Sequence, residues 1–305
     1  MSTAELSAPR GDTPATRDGA SLAGHALPRN GLRGWLRLLG SELRLMFRRW
    51  RNLALLGVLV VLPVVLGIGL RVSTPDGGGG GPNASFFAQL AGNGVFLSFL
   101  ALTILLTLVL PLVIAVVAGD SIAGEAGLGT LRYLLTVPAG RTRLLSVKYV
   151  AVVIFGLAAC LLVSAVSLIM GAILFPIGPV TLLSGTTVSL ADGLLRLLYV
   201  TLYVAAGMAA LAAIGLAIST LTEHPIGAIA AVLVLAVASE VADNVSQFAV
   251  IHPYLPTHFW LSFDSLLRSP VDTGSLLHGL LSFAAYIVIF GSLAWARFTS
   301  ADVTS

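Results

Sequence analysis

Six long apolar runs dominate this chain, separated by short polar stretches. Leu53–Leu70 carries no charge and ends at Arg71. About 20 residues cross a bilayer core, so this run just suffices. Pro63 within it predicts a kinked helix. Gly94–Gly119 ends at Asp120 and Tyr149–Phe175 stops at Pro176; both are longer and equally free of charge. Leu197–Leu221 is the fourth run. The fifth begins at Ile226 and meets Glu240 after 14 uncharged residues. Leu276–Ala296 is the sixth, with Trp295 and Arg297 as anchors at the membrane boundary. The pattern predicts an all-α membrane protein with six transmembrane helices. They fall at about 53–70, 94–119, 149–175, 197–221, 226–243 and 276–296, within a membrane domain spanning 52–297.

A different periodicity precedes the first run. In residues 31–51, Leu32, Trp35, Leu36, Leu39, Leu43, Met46, Phe47 and Trp50 recur at helical spacing on one face. Arg33, Arg37, Arg44, Arg48 and Arg51 recur on another. Trp and Leu opposite a row of Arg suit an amphipathic helix lying in the membrane–water interface. A basic helix that binds nucleic acid is the rival reading. The apolar face and the adjoining span favour the interface, with lipid and no nucleic acid as partner. Residues 1–30 are rich in Ser, Thr, Ala, Pro and Gly without periodicity and read as a disordered arm. They contain no secretory apolar region. Residues 72–85 read as a flexible tether, and 298–305 as a short tail.

Composition sharpens this picture. Only 10% of the 305 residues are charged and 57% are hydrophobic, against roughly 25% charged in a soluble domain. Charge location then sets orientation. With the N-terminus inside, nine Arg before Leu53, then Arg132, Arg141, Arg143, Lys148 and Arg297 are cytoplasmic. Only Arg71, Arg196 and Arg268 lie outside. This bias predicts both termini in the cytoplasm and a multi-pass protein of the cell membrane. Cys160 sits alone in an apolar run, so no disulfide within the chain and no Cys-based metal site forms.

The connection Asp120–Lys148 leaves the bilayer yet carries Leu128, Leu131, Leu134, Leu135, Leu144 and Leu145. Leucines on a cytoplasmic helix want a groove, either on a partner or on the chain's own membrane domain. Here the sequence resembles the ABC-2-type permeases, the membrane subunits of ATP-driven exporters. Glu125, Gly129, Thr130, Leu131, Leu134, Leu135, Pro138, Arg141, Leu144, Leu145 and Lys148 match that family's pattern in one register. The ending Phe298–Asp302 and the segment Leu255–His258 with Trp260 are similar to it as well. The resemblance implies a cytoplasmic coupling helix seated in a cleft on a separate ATPase subunit. It also implies a second permease copy, either identical or a paralogue, and cargo of amphipathic, lipid-like or drug type. Glu125 and Arg141 would orient the contact, and the leucines would supply its buried area. ATP would reside on the partner, with no cofactor in this chain. In agreement, the only lysine, Lys148, follows Ser146 and Val147, so no G-x-x-x-x-G-K-[ST] loop exists.

Other candidates are fewer. Glu240 and Asp243 lie three apart, on one helix face near the outer end of the fifth run. Intramembrane carboxylates suggest a proton-coupled secondary transporter as the alternative. His252 and His258 are candidate metal ligands. Thr103 and Thr107 share a face of the second run, where they either line a translocation path or bond back to their own helix. An intramembrane hydrolase lacks a G-x-S-x-G motif and a buried base, and a signal relay lacks an extracellular domain. Residues 244–275, with Phe248, Tyr254, Phe259, Trp260 and Phe263 among prolines, are expected to dip into the outer interface.

Overall fold

The computed structural model describes residues 31–73, 93–127 and 140–300. Residues 1–30, 74–85, Gly129, Thr130, Leu131, Leu134, Leu135, Pro138 and 301–305, for which the sequence sets expectations, lie outside the described residues. Eight α-helices are described: α1 (Gly31–Arg48), α2 (Trp50–Ser73), α3 (Gly94–Thr107), α4 (Val109–Gly127), α5 (Arg141–Leu174), α6 (Leu190–Ser219), α7 (Pro225–Asp243) and α8 (Thr273–Ser300). A two-residue hairpin, β1 (Val180–Thr181) with β2 (Thr187–Val188), sits between α5 and α6. Six of the helices, α2 and α4–α8, are long and apolar enough to cross a membrane. The fold is an all-α bundle of six long apolar helices.

α5 and α6 form the centre. α5 packs against α1, α2, α3 and α6, while α6 packs against α4, α7 and α8. α2, α7 and α8 expose most of their apolar surface, as lipid-facing helices do. Small residues permit the closest approaches, which is the usual way that helices without a hydrophobic drive between them associate. A Cβ on Gly94 would lie 2.5 Å from the Gly171 carbonyl oxygen, so the α3 and α5 backbones touch there.

The second apolar run does not fold as one helix. It breaks at Leu108 (φ −141°, ψ −45°) into α3 and α4. Pro111 explains the break, since it has no N–H for the Thr107 carbonyl and its ring crowds that carbonyl. Several ends also differ from the expected spans: α4 runs on to Gly127, beyond 119, and α6 begins at Leu190, ahead of 197. α5 begins at Arg141, eight residues before Tyr149, because Leu144, Leu145, Val147 and Lys148 all bury on the bundle. α8 continues to Ser300, so the tail expected from 298 starts as helix, with Phe298 packed beside Leu144, Leu145 and Ala294.

At the end away from α1, residues 244–272 fold over the bundle in 3-10 turns. Trp260, Phe263 and Leu267 are buried there, and the Leu183 N–H donates to the Leu267 carbonyl, tying the hairpin to this cap. Asp272 caps α8. The Ser275 hydroxyl, then the Ser275 and Gly274 N–H groups, hold its carboxyl below the ordinary value. That capping operates above the carboxylate range of the unfolded chain and is lost as pH falls through the depressed value.

Candidate functional site

The densest polar cluster lies where α1, α2, α4 and α5 meet. α1 docks on α5 through Leu39, which packs with Val147 and Ala151, and through the Trp35 indole N–H, 3.0 Å from the Ser146 hydroxyl. The chain then turns at Arg49, where the Asn52 amide donates to the Met46 carbonyl at 2.9 Å across the break. This turn aims Arg49 and Arg51 at Asp120 of α4, both bonding Oδ2, at 2.6 and 2.7 Å. One and a half turns further along α4, Glu125 Oε1 meets Lys148 Nζ of α5 at 2.6 Å. Glu42 of α1 approaches the same ammonium at 3.6 Å.

Three cations and three carboxylates therefore balance around one cavity of about 30 Å³. That space has room for water. Lys148 is only 2% exposed. An unpaired ammonium at such depth costs several kcal/mol, so its two carboxylates are the condition for its burial. The arrangement can hold helices together at fixed spacing.

The other residues singled out from the sequence are placed as follows. Arg141 opens α5 and donates to the Thr299 carbonyl of α8 at 3.0 Å. Leu144 and Leu145 bury in the chain's own bundle beside Ile122, Leu216 and Phe298. The Thr103 hydroxyl donates to the Phe99 carbonyl at 2.9 Å and Thr107 to the Thr103 carbonyl at 3.3 Å, so both bond back to α3. Cys160 is buried in the core.

The second cluster forms at the opposite end. Asp243 closes α7, and its Oδ1 lies 2.6 Å from His258 Nδ1 and 3.9 Å from His252 Nδ1. His252 Nε2 is 3.2 Å from the Val245 carbonyl. Ser239 and Thr257 join their hydroxyls at 2.8 Å below this group, and Glu240 lies half-buried one turn from Asp243. Among the described residues no three such side chains adopt metal-holding geometry. The contacts fasten the end of α7 to the cap.

Glu125, Glu240, Asp243 and the histidines stand out in the sequence, whereas their pairings do not. Nothing in the pattern pairs Arg49 and Arg51 with Asp120, or Glu42 with Lys148. The usable signal was a single lysine with carboxylates at the edge of an uncharged run, since a membrane-bordering charge needs an opposite one.

No curated protein matches the chain. A family described as "Protein of unknown function (DUF2705)" matches residues 80–304, from just before α3 through the end of α8. The matched region contains Asp120, Glu125, Lys148 and the Asp243–His258 pair, and leaves α1 and α2 outside. This chain, a multi-spanning membrane protein with buried charged residues, belongs to that family.

Proposed function

We propose that this chain is the permease subunit of an ATP-driven exporter of the ABC-2 type, working with a separate ATPase and a second permease copy. One observation carries the reading beyond the motif resemblance. Segment 128–139 leaves α4 at Gly127 and returns to α5 at Arg141, and both flanking helices are cross-tied. Glu125–Lys148 joins α4 to α5, and Arg141–Thr299 joins α5 to α8. A force on this segment is thereby shared by three spanning helices and, through Glu42, by α1. That is what a coupling element requires of its foundations. ATP belongs to the partner, the α1 end faces the cytoplasm of a cell membrane, and the cargo is amphipathic, lipid-like or drug-like.

The test uses leucines of the segment itself. Leu131→Ala or Leu134→Ala should lower capture of the co-expressed ATPase more than tenfold, since truncating an interface anchor costs about 2 kcal/mol or more. Membrane insertion and thermal stability should stay unchanged. Glu125→Arg is a poor choice, because it also breaks the Lys148 pair. Undiminished capture and coupling in both leucine variants would reject the reading.

Orientation is checked separately in a Cys160→Ala background. A cysteine at Gly79 should react with an impermeant reagent from outside, and one at Ala139 should not. The reverse labelling would invert the topology.

The Asp243–His258 contact favours one rival, a proton-coupled transporter using Glu240 or Asp243. If Glu240→Gln abolishes transport while the leucine variants retain it, that rival is the better reading.

A further inference from the structure

α1 has three faces. Trp35, Leu38, Leu39, Glu42 and Met46 turn toward the bundle. At 100° per residue, Arg33, Arg37, Arg44 and Arg48 fall within one narrow stripe on the side away from it, and all four are exposed. The cations of the next turn behave differently. Arg49 and Arg51 both pair with Asp120. Among the described residues the four stripe arginines have no acidic partner, and the only carboxylate of α1, Glu42, points the other way to Lys148.

The flanks of the stripe are apolar. Leu32 and Leu36 border it on one side and Leu45 on the other, at 72%, 52% and 59% exposure. Two residues beyond Arg48, Trp50 is 83% exposed and starts α2, a membrane-length helix. The stripe is thus fixed beside the point where the chain enters the bilayer, with leucines that water would leave unburied.

The geometry points to a docking surface: Arg33, Arg37, Arg44 and Arg48 of α1 bind the headgroups of anionic phospholipids in the leaflet at the α1 end. Four guanidinium groups without an acidic partner among the described residues match phosphate-bearing, net-negative headgroups, while the flanking leucines enter the acyl boundary. Each basic residue near an anionic surface contributes about 1 kcal/mol, or roughly fivefold in lipid partition. A nucleic acid would satisfy the arginines and leave Leu32, Leu36 and Leu45 in water, so it fits the surface less well. The inference does not rest on the exporter reading; it needs only the membrane-spanning fold.

The experiment titrates the full detergent-purified chain with phosphatidylglycerol, phosphatidylcholine, inorganic phosphate or a short RNA, reading thermal stabilisation. Phosphatidylglycerol alone should stabilise. Each Arg→Gln change in the stripe should raise its half-saturating concentration about fivefold. The quadruple Gln variant should lose the preference for phosphatidylglycerol. A quadruple Lys variant should keep it, because charge suffices, and Arg71→Gln at the far end should match the parent. Monodisperse elution of the quadruple Gln variant establishes that it folds. Equal stabilisation by phosphatidylcholine, or an unchanged quadruple Gln variant, would overturn the proposal. So would inorganic phosphate reproducing the effect, or RNA competing for the same arginines.

Discussion

Lys148→Met should destabilise the protein by about 3 kcal/mol, more than a hundredfold in the folded-to-unfolded ratio. The ammonium is nearly inaccessible and lies between Glu125 at 2.6 Å and Glu42 at 3.6 Å. Removing it strands two carboxylates in a cavity that already holds Asp120. Breaking a buried pair costs about 3–5 kcal/mol. The lower end applies because the Glu42 and Glu125 side chains keep 20% and 17% of their exposure. Glu125→Gln added to Lys148→Met should restore part of the loss, since it removes one of the two stranded charges. Equilibrium unfolding of the purified chain in mild detergent gives the numbers. A Lys148→Met protein as stable as the parent would mean that the pair does not form.

Gly171→Ala should destabilise by roughly 1–3 kcal/mol, as overpacking does, and the sign is the informative part. Inside a helix, Gly→Ala ordinarily stabilises by up to about 1 kcal/mol. Here the new methyl would collide with the Gly94 carbonyl, a backbone group that cannot rotate away, so α3 and α5 must separate. That separation strains neighbouring ties, because Asn93 caps α3 and also donates to the Gly178 and Pro179 carbonyls. Gly57 and Gly291 have open space around their Cβ positions and serve as controls. Gly57→Ala and Gly291→Ala should be neutral or stabilising in the same unfolding measurement. A stabilised Gly171→Ala variant would disprove the close α3–α5 contact.

Much of the architecture was legible because lipid imposes a coarse rule: a spanning segment must be apolar and long enough. Runs such as Tyr149–Phe175 and Leu197–Leu221 announce themselves by length without charge. Finer features obey rules that hydropathy does not see. The break at Leu108 follows from Pro111, which sits in an uninterrupted apolar run and leaves the hydropathy signal unchanged. The α5 start at Arg141 was hidden because Arg141–Lys148 is polar by composition while burying Leu144, Leu145 and Lys148. The site was less legible than the fold. Glu125 could be picked out by its place in a motif. Its pairing with Lys148, 23 residues away, depends on how α4 and α5 cross. Likewise Glu240 and Asp243 read as a helix-face pair, whereas Asp243 turns to His258 in a cap whose path of 3-10 turns carries no periodic signal.

The hydroxyl of Ser219, at the end of α6, donates to the Gly119 carbonyl at 2.8 Å. It also accepts from the Ile122 and Ala123 N–H groups at 3.1 and 2.9 Å. A residue made 100 positions later is thus wedged into the backbone ladder of α4. At translation rates of about 5–20 residues per second, α4 waits roughly 5–20 s for it. The fourth α-helix therefore cannot reach its final form in order of synthesis. Its closing turns stay provisional until two further helices, α5 and α6, have been threaded into the bilayer, and a chain truncated before Ser219 would keep α4 in that unfinished state.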